Sequence, residues 1–144
     1  DGRQEFVGSD ARRAQAAIAD AARAPKAALR AGCEINGKLL VHLDSLPAGS
    51  DRADLLLAIT EGGLTSPVSR GENRGRSISH TAVVRKLTSM GEARAGTAVE
   101  PAVKLNKDWR RENVAAVVLV QERRTMRILG AARVMLAGCP GWTD

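Results

Sequence analysis

VAAVVLV, residues 114–120, is the stretch that decides the fold. It is a continuous apolar run rich in β-branched valine. Such a run suits a strand buried on both faces of a sheet, and it is short for a buried helix, which needs about 10–12 residues. The neighbouring segments agree. Glu122 to Thr125 supply polar turn residues, and Met126, Ile128, Gly130, Ala132, Val134 and Leu136 then alternate with other residues over a final strand. On the N-terminal side, DLLLAITE at 54–61 is a second apolar strand closed by Gly62-Gly63. Residues 97–105 alternate Val99, Pro101, Val103 and Leu105 against more polar neighbours. Residues 65–70 read as an edge strand, where Pro67 is tolerable because an edge residue needs no ladder donor.

Asn36-Gly37 is the strongest hairpin signal and predicts a type I′ turn joining 27–35 to 38–44. Residues 79–94 fit two patterns. Val83, Val84, Leu87 and Met90 have helical spacing, while the β-branched content suits a long strand. About seven short strands joined by turns predict a mainly β fold, an antiparallel immunoglobulin-like β-sandwich over residues 26–138, with 139–144 as a C-terminal tail.

The N-terminus reads differently. Asp1-Gly2 has hairpin-turn chemistry, and Phe6-Val7 have strand character. Ser9 or Asp10 is placed to N-cap a helix over ARRAQAAIADAARA, with Ala14, Ala17, Ile18 and Ala21 on one face and Pro25 as the stop. So small an apolar face needs something to lie against. The chain also opens in what reads as the middle of a hairpin, so residues 1–25 are expected to be a piece cut from a longer protein.

Composition narrows the function classes. The chain has 144 residues, 44% of them hydrophobic and 26% charged, which suits a globular domain rather than a disordered segment. The net charge of +6 is carried mostly by arginine. Those arginines are scattered, and the aromatic residues are only Phe6, Trp109 and Trp142, so no stacking platform for nucleic acid is visible. No apolar run approaches the ~20 residues of a membrane-spanning helix. Cys33 and Cys139 are far apart and form no CxxC, which leaves a long-range disulfide and two thiols equally open.

DGRQEFVGSD with its Ala-rich helix, RGENRGRSISHTAVVRKL, and VLVQERRTMRILGAARV together resemble an uncharacterised bacterial domain-of-unknown-function family. Its members are predicted secreted or periplasmic proteins with a thioredoxin-like N-terminal half. The resemblance spans nearly the whole chain and the later part of the family. It implies that residues 1–25 are the last strand and helix of a thioredoxin-like domain, and that the sandwich follows it. It also implies a periplasmic or secreted location. The CxxC of the family's redox-like half is absent here, so no redox role passes to Cys33 or Cys139.

The candidate site is SRGENRGRSISH, residues 69–80. Gly71 and Gly75 permit backbone conformations in which amide groups converge on an anion. Arg70, Arg74 and Arg76 are suited to clamping a carboxylate or sulfate, and His80 could add a proton-transfer group. The structural alternative has Glu72 and Asn73 satisfying backbone amides and Glu72 pairing with an arginine. His42, on the polar side of its strand, has no catalytic setting, and no serine lies in GxSxG. The His and Cys residues lack metal-ligand spacing, so neither metal nor cofactor is expected. Arg110-Arg111-Glu112 and Glu122-Arg123-Arg124 read as solubilising turn charges.

The expected function is therefore a non-catalytic sandwich module that packs on its own thioredoxin-like domain or on a partner protein. One alternative is the substrate-holding part of a thiol-disulfide oxidoreductase whose CxxC lies outside this chain. Another is an anion- or glycan-binding module using the 69–80 loop. The exposed N-terminal segment also points to a homo-oligomer.

Overall fold

A computed structural model describes residues 2 and 4–140. Asp1 of the expected opening turn, Trp142 and the end of the expected tail lie outside the described residues. The chain is mainly β with one helix, and all strand pairs are antiparallel.

Helix α1 runs over Ala11–Arg23. Asp10 caps it, its carboxylate accepting from the Arg13 N–H at 3.0 Å. Its C-cap, Ala24, is extended because it precedes Pro25. No residue of α1 is buried. The strand expected at Phe6-Val7 does not form; residues 4–7 are irregular. A strand is stable only when a neighbour takes its hydrogen bonds, and nothing described here pairs with this segment.

Strands β1 (Ala28–Cys33), β2 (Leu39–Ser45) and β7 (Thr97–Val99) form a three-stranded sheet in the order β1-β2-β7. Strands β3 (Ala53–Glu61), β6 (Val83–Glu92), β8 (Val114–Glu122) and β9 (Ile128–Met135) form a four-stranded sheet in the order β6-β3-β8-β9. A separate ribbon pairs β4 (Leu64–Pro67) with β5 (Ser77–His80). Short 3-10 turns sit at Arg111–Asn113 and Leu136–Gly138.

The inward faces of the two larger sheets share one core. Leu39, Val41 and Leu43 from β2 join Leu55, Leu57 and Ile59 from β3 and Val114, Ala116, Val118 and Val120 from β8. Strand β8 is central, flanked by β3 and β9 as its apolar run predicts. It is buried on both faces only at Val114 to Ala116; beyond that its outward residues Val117 and Leu119 are half-buried. At one corner Ala27 donates its N–H to the Leu129 carbonyl at 2.8 Å. Gly130 permits that approach, since a Cβ there would stand 2.9 Å from the Ala27 Cβ.

Two further expectations change, and one open reading is settled. The β1–β2 hairpin is not type I′, which needs positive φ at both central residues. Only Gly37 has positive φ (79°), and the Gly37 N–H bonds the Glu34 carbonyl while the Glu34 N–H bonds that of Lys38. This is a type I turn closed by a glycine bulge, and the Asn36 side chain accepts from the Lys38 N–H to hold it. Of the two patterns left open for residues 79–94, strand is the one formed, at Val83–Glu92, because β3 offers a ladder to pair with. The 97–105 alternation yields strand only at Thr97–Val99; Pro101 removes the next donor.

Strand β6 is an edge strand with two irregularities. Met90 and Gly91 add a residue opposite Asp54–Leu56, and Arg85 is an extra residue opposite Ile59–Thr60. Bulges and lysine on an edge discourage pairing with another sheet, and Lys86 sits on this one.

Candidate functional site

The 69–80 segment is the outer end and returning strand of the β4–β5 ribbon, which leaves the body at Gly62-Gly63. Ribbon pairing runs from Leu64 opposite His80 to Pro67 opposite Ser77. Beyond Pro67 the Val68 N–H bonds the Arg76 carbonyl and the Gly75 N–H bonds that of Val68. The tip closes through Arg74 N–H to Gly71 C=O and Arg76 N–H to Asn73 C=O. Gly71 (φ 80°) and Gly75 (φ 81°) take the left-handed conformations this path needs.

The fold brings Arg70, Glu72, Asn73, Arg74 and Arg76 together at this tip, and all are exposed. His80 is not with them. It lies at the base, where its Nε2 and the Ser66 Oγ share a hydrogen bond of 3.0 Å. The structural alternative for Glu72 and Asn73 is not realised: among the described residues neither side chain bonds a backbone amide, and Glu72 pairs with no arginine. The tip is held by backbone bonds, and among the described residues its three guanidinium groups have no side-chain partner.

The base of the ribbon is built from residues that the sequence pattern did not single out. Glu61, the last residue of β3, is 2% exposed. One of its oxygens, Oε1, accepts from the Arg110 N–H at 3.0 Å. The other, Oε2, makes no hydrogen bond and is compensated by the Arg85 guanidinium, 3.4 Å away. The bulge at Arg85 turns that side chain to Glu61, and its guanidinium also stacks 5.3 Å from the centre of the Trp109 ring. The Arg110 guanidinium donates to the Gly63 carbonyl, and the Gly62 N–H bonds the Asn113 carbonyl at 2.9 Å. Gly62 fits because it lacks a Cβ, which would stand 2.6 Å from the Thr81 carbonyl oxygen. Loop 105–113 thus clamps the ribbon where it leaves the body. Beside the clamp a cavity of about 460 Å³ is lined by Leu105, Lys107, Trp109, Arg110, Arg111 and Glu112. An isolated acid closing an apolar strand before Gly-Gly, and a lone tryptophan in a charged loop, were the available signals.

Two other charge clusters prove structural. Glu122, 2% exposed, accepts from the Thr125 hydroxyl, from the Asp51 N–H at 3.1 Å and from Arg127 at 2.7 Å. The Thr125 hydrogen bond foremost, with the Asp51 amide and the Arg127 charge, holds this carboxyl below its ordinary value despite burial. Arg110 and Glu122, read from sequence as solubilising charges, are therefore internal fastenings. His42 lies opposite Arg30, next to the Arg30–Asp44 pair, in a different sheet from His80. Among the described residues no group of three or more His, Cys, Asp and Glu is gathered to hold a metal. Nor is any helix among them long and apolar enough to cross a membrane.

Cys33 and Cys139 form a disulfide with Cα atoms 5.4 Å apart, bridging a sequence separation of 106. Cys139, expected in a tail, is 8% exposed and part of the core. The bond ties the segment after β9 to the end of edge strand β1.

No curated protein and no solved structure matches this chain. A family model does match, over residues 1–121, a span that takes in α1, the ribbon and the Glu61 clamp. The chain therefore belongs to the family described as Protein of unknown function (DUF1223).

Proposed function

We propose that this chain is a non-catalytic, immunoglobulin-like module of a secreted or periplasmic protein, and that it docks through α1 on a thioredoxin-like domain of the same protein. The observation that carries this reading is α1 itself. Its 13 residues bury nothing, and Ile18 is 69% exposed. A helix draws most of its stability from packing its apolar face. Here that face and the segment before it line a cavity of about 280 Å³, with Phe6, Ala17, Ile18 and Ala21 among its walls. A thioredoxin-like sheet would supply both a surface for α1 and a pairing partner for residues 4–7.

The sheet orders support the immunoglobulin-like part. With the ribbon set aside, seven strands remain, and in chain order they take the letters A to G. Their sheets then read A-B-E and D-C-F-G. An immunoglobulin constant domain has A-B-E-D facing C-F-G, so the difference is the fourth strand, moved to the edge beside C. The disulfide supports an oxidising compartment, because structural disulfides persist there and are rare in the cytosol.

The test is the protein isolated from its own cells. The expected native form exceeds 15.2 kDa by roughly another domain of ~100 residues, with the α1 amides protected from exchange. A native form of 15.2 kDa whose α1 exchanges freely would overturn the reading. If the native form carries a CxxC and turns over disulfide substrates only with this module attached, the substrate-holding role in a thiol-disulfide oxidoreductase replaces passive docking.

A further inference from the structure

We infer that the β4–β5 ribbon is a preformed binding finger for an acidic protein surface, with Arg70, Arg74 and Arg76 as its carboxylate-binding groups. The inference rests on reading the chain as a binding module, but it uses a part of the molecule separate from α1.

Three observations carry it. The first is the contrast in arginine pairing. Arg23, Arg30, Arg52, Arg85, Arg94, Arg123, Arg124 and Arg127 all form ion pairs within the chain. Among the described residues Arg70, Arg74 and Arg76 form none, although Glu72 lies among them in sequence. Arginine is suited to two-pronged recognition of carboxylates, and an unpaired group gives up no internal partner on binding.

The second observation is rigidity at the base. The ribbon is fixed by the Gly62 and Gly63 backbone bonds, the Arg110 bond to Gly63, and the buried Glu61 that orders Arg110. Its tip is closed by four backbone hydrogen bonds of 2.9–3.1 Å. A preformed element loses less entropy on binding than a floppy loop.

The third is composition. Ile78, 44% exposed on β5, adds an apolar contact beside the arginines, the mixture found at protein interfaces. Residues 64–80 contain no Phe, Tyr or Trp, and the one ring there, His80, lies at the base bonded to Ser66, so the tip has no ring on which to stack a sugar or a base. Glu72 at the tip repels a dense polyanion such as a sulfated glycan, yet it finds ready partners on a mixed protein surface.

The experiment is a titration of the whole chain with a fluorescent peptide that intersperses glutamates with serine, leucine and a lysine, read by anisotropy at several salt concentrations, alongside a heparin oligosaccharide. The key variant is Arg70→Gln/Arg74→Gln/Arg76→Gln. The control, Arg12→Gln/Arg13→Gln/Arg133→Gln, removes the same charge from sites that also lack side-chain partners. The expected result is peptide binding that weakens with salt, is lost by about tenfold or more in the ribbon variant, and is nearly kept in the control. Equal loss in both variants would mean net charge alone and overturn the proposal, as would no peptide binding. Ribbon-dependent binding of heparin in preference to the peptide would overturn the protein-surface assignment. None of these outcomes depends on the mass of the native form or on α1, so the two readings fail separately.

Discussion

The body formed by the two larger sheets and the β4–β5 ribbon use the same residue, arginine, in opposite ways. In the body, Arg30 grips Asp44 through two bonds of 2.9 Å, Arg123 reaches Asp54 at 2.6 Å, and Arg127 holds the buried Glu122 at 2.7 Å. In the ribbon, Arg70, Arg74 and Arg76 form no ion pair among the described residues. Most of the body's arginines, Arg133 excepted, fasten strand ends and hairpins to one another. The ribbon takes its shape from backbone bonds and from a clamp at its base, so its charged side chains are dispensable to the fold. That separation makes the comparison testable: changes to the body should cost stability, and changes to the ribbon tip should not.

The largest effect should come from the disulfide. Replacing Cys33 and Cys139 together with serine is expected to cost about 2–5 kcal/mol, since the bond closes a very long loop in the unfolded chain. Urea unfolding of the variant, and of the wild type under reductant, should show the same fall in midpoint. A loss below about 1 kcal/mol would show that the core alone holds the segment after β9.

Next is the ribbon base. Gly62→Ala places a Cβ 2.6 Å from a backbone oxygen that cannot rotate away. The expected cost is about 1–3 kcal/mol, with faster amide exchange over residues 64–80. Lost stability without faster exchange in the ribbon would separate the clamp from the finger and weaken the case for a preformed element.

Acid sensitivity sharpens the comparison further. Glu122 and Asp51 both have carboxyl values below the ordinary range, Asp51 chiefly through its bond from Arg124. A carboxyl whose folded value is depressed adds stability above its unfolded value and loses it as pH falls through the folded one. The body should therefore weaken below about pH 4.5, the ordinary glutamate value, and Glu122→Gln should flatten that dependence. A profile unchanged by the substitution would show that Glu122 is not the fastening its contacts describe. The ribbon arginines contribute nothing to this dependence, because none pairs with a carboxylate.

Much of this architecture was legible in the chain. VAAVVLV reads as the central strand because a seven-residue apolar run flanked by charges has few other uses, and Asp10 and Pro25 bracket α1 through local chemistry. What could not be read were features set by neighbours distant in sequence. Residues 4–7 have strand character but no partner to pair with. Val83 to Met90 satisfy helical spacing, yet the ladder offered by β3 prevails. The turn closes at Glu34–Gly37, one residue earlier than the expected type I′ turn, with Gly37 alone in the left-handed region, a choice the Asn-Gly pair does not determine. At the candidate site the arginines of the tip were visible and the clamp was not. Glu61, Arg85 and Trp109 are separated by more than twenty residues at each step, and only the Arg85 bulge brings them together.

The smallest effect on stability should come from the ribbon tip. Arg70→Gln/Arg74→Gln/Arg76→Gln is expected to change the unfolding free energy by no more than about 0.5 kcal/mol, the usual range for surface substitutions away from special features. The body offers the matching experiment. Arg127→Gln removes one guanidinium rather than three, but it strips a charge from buried Glu122 and should lower the urea midpoint by more than the triple variant does. If instead the triple variant is the less stable, the tip arginines hold the fold together like those of the body. The contrast in pairing would then mark a difference in geometry and not a division of labour. If the order is as expected, three arginines that the fold does not need remain on a rigid projection, and a role outside the chain is the simplest reason for their arrangement.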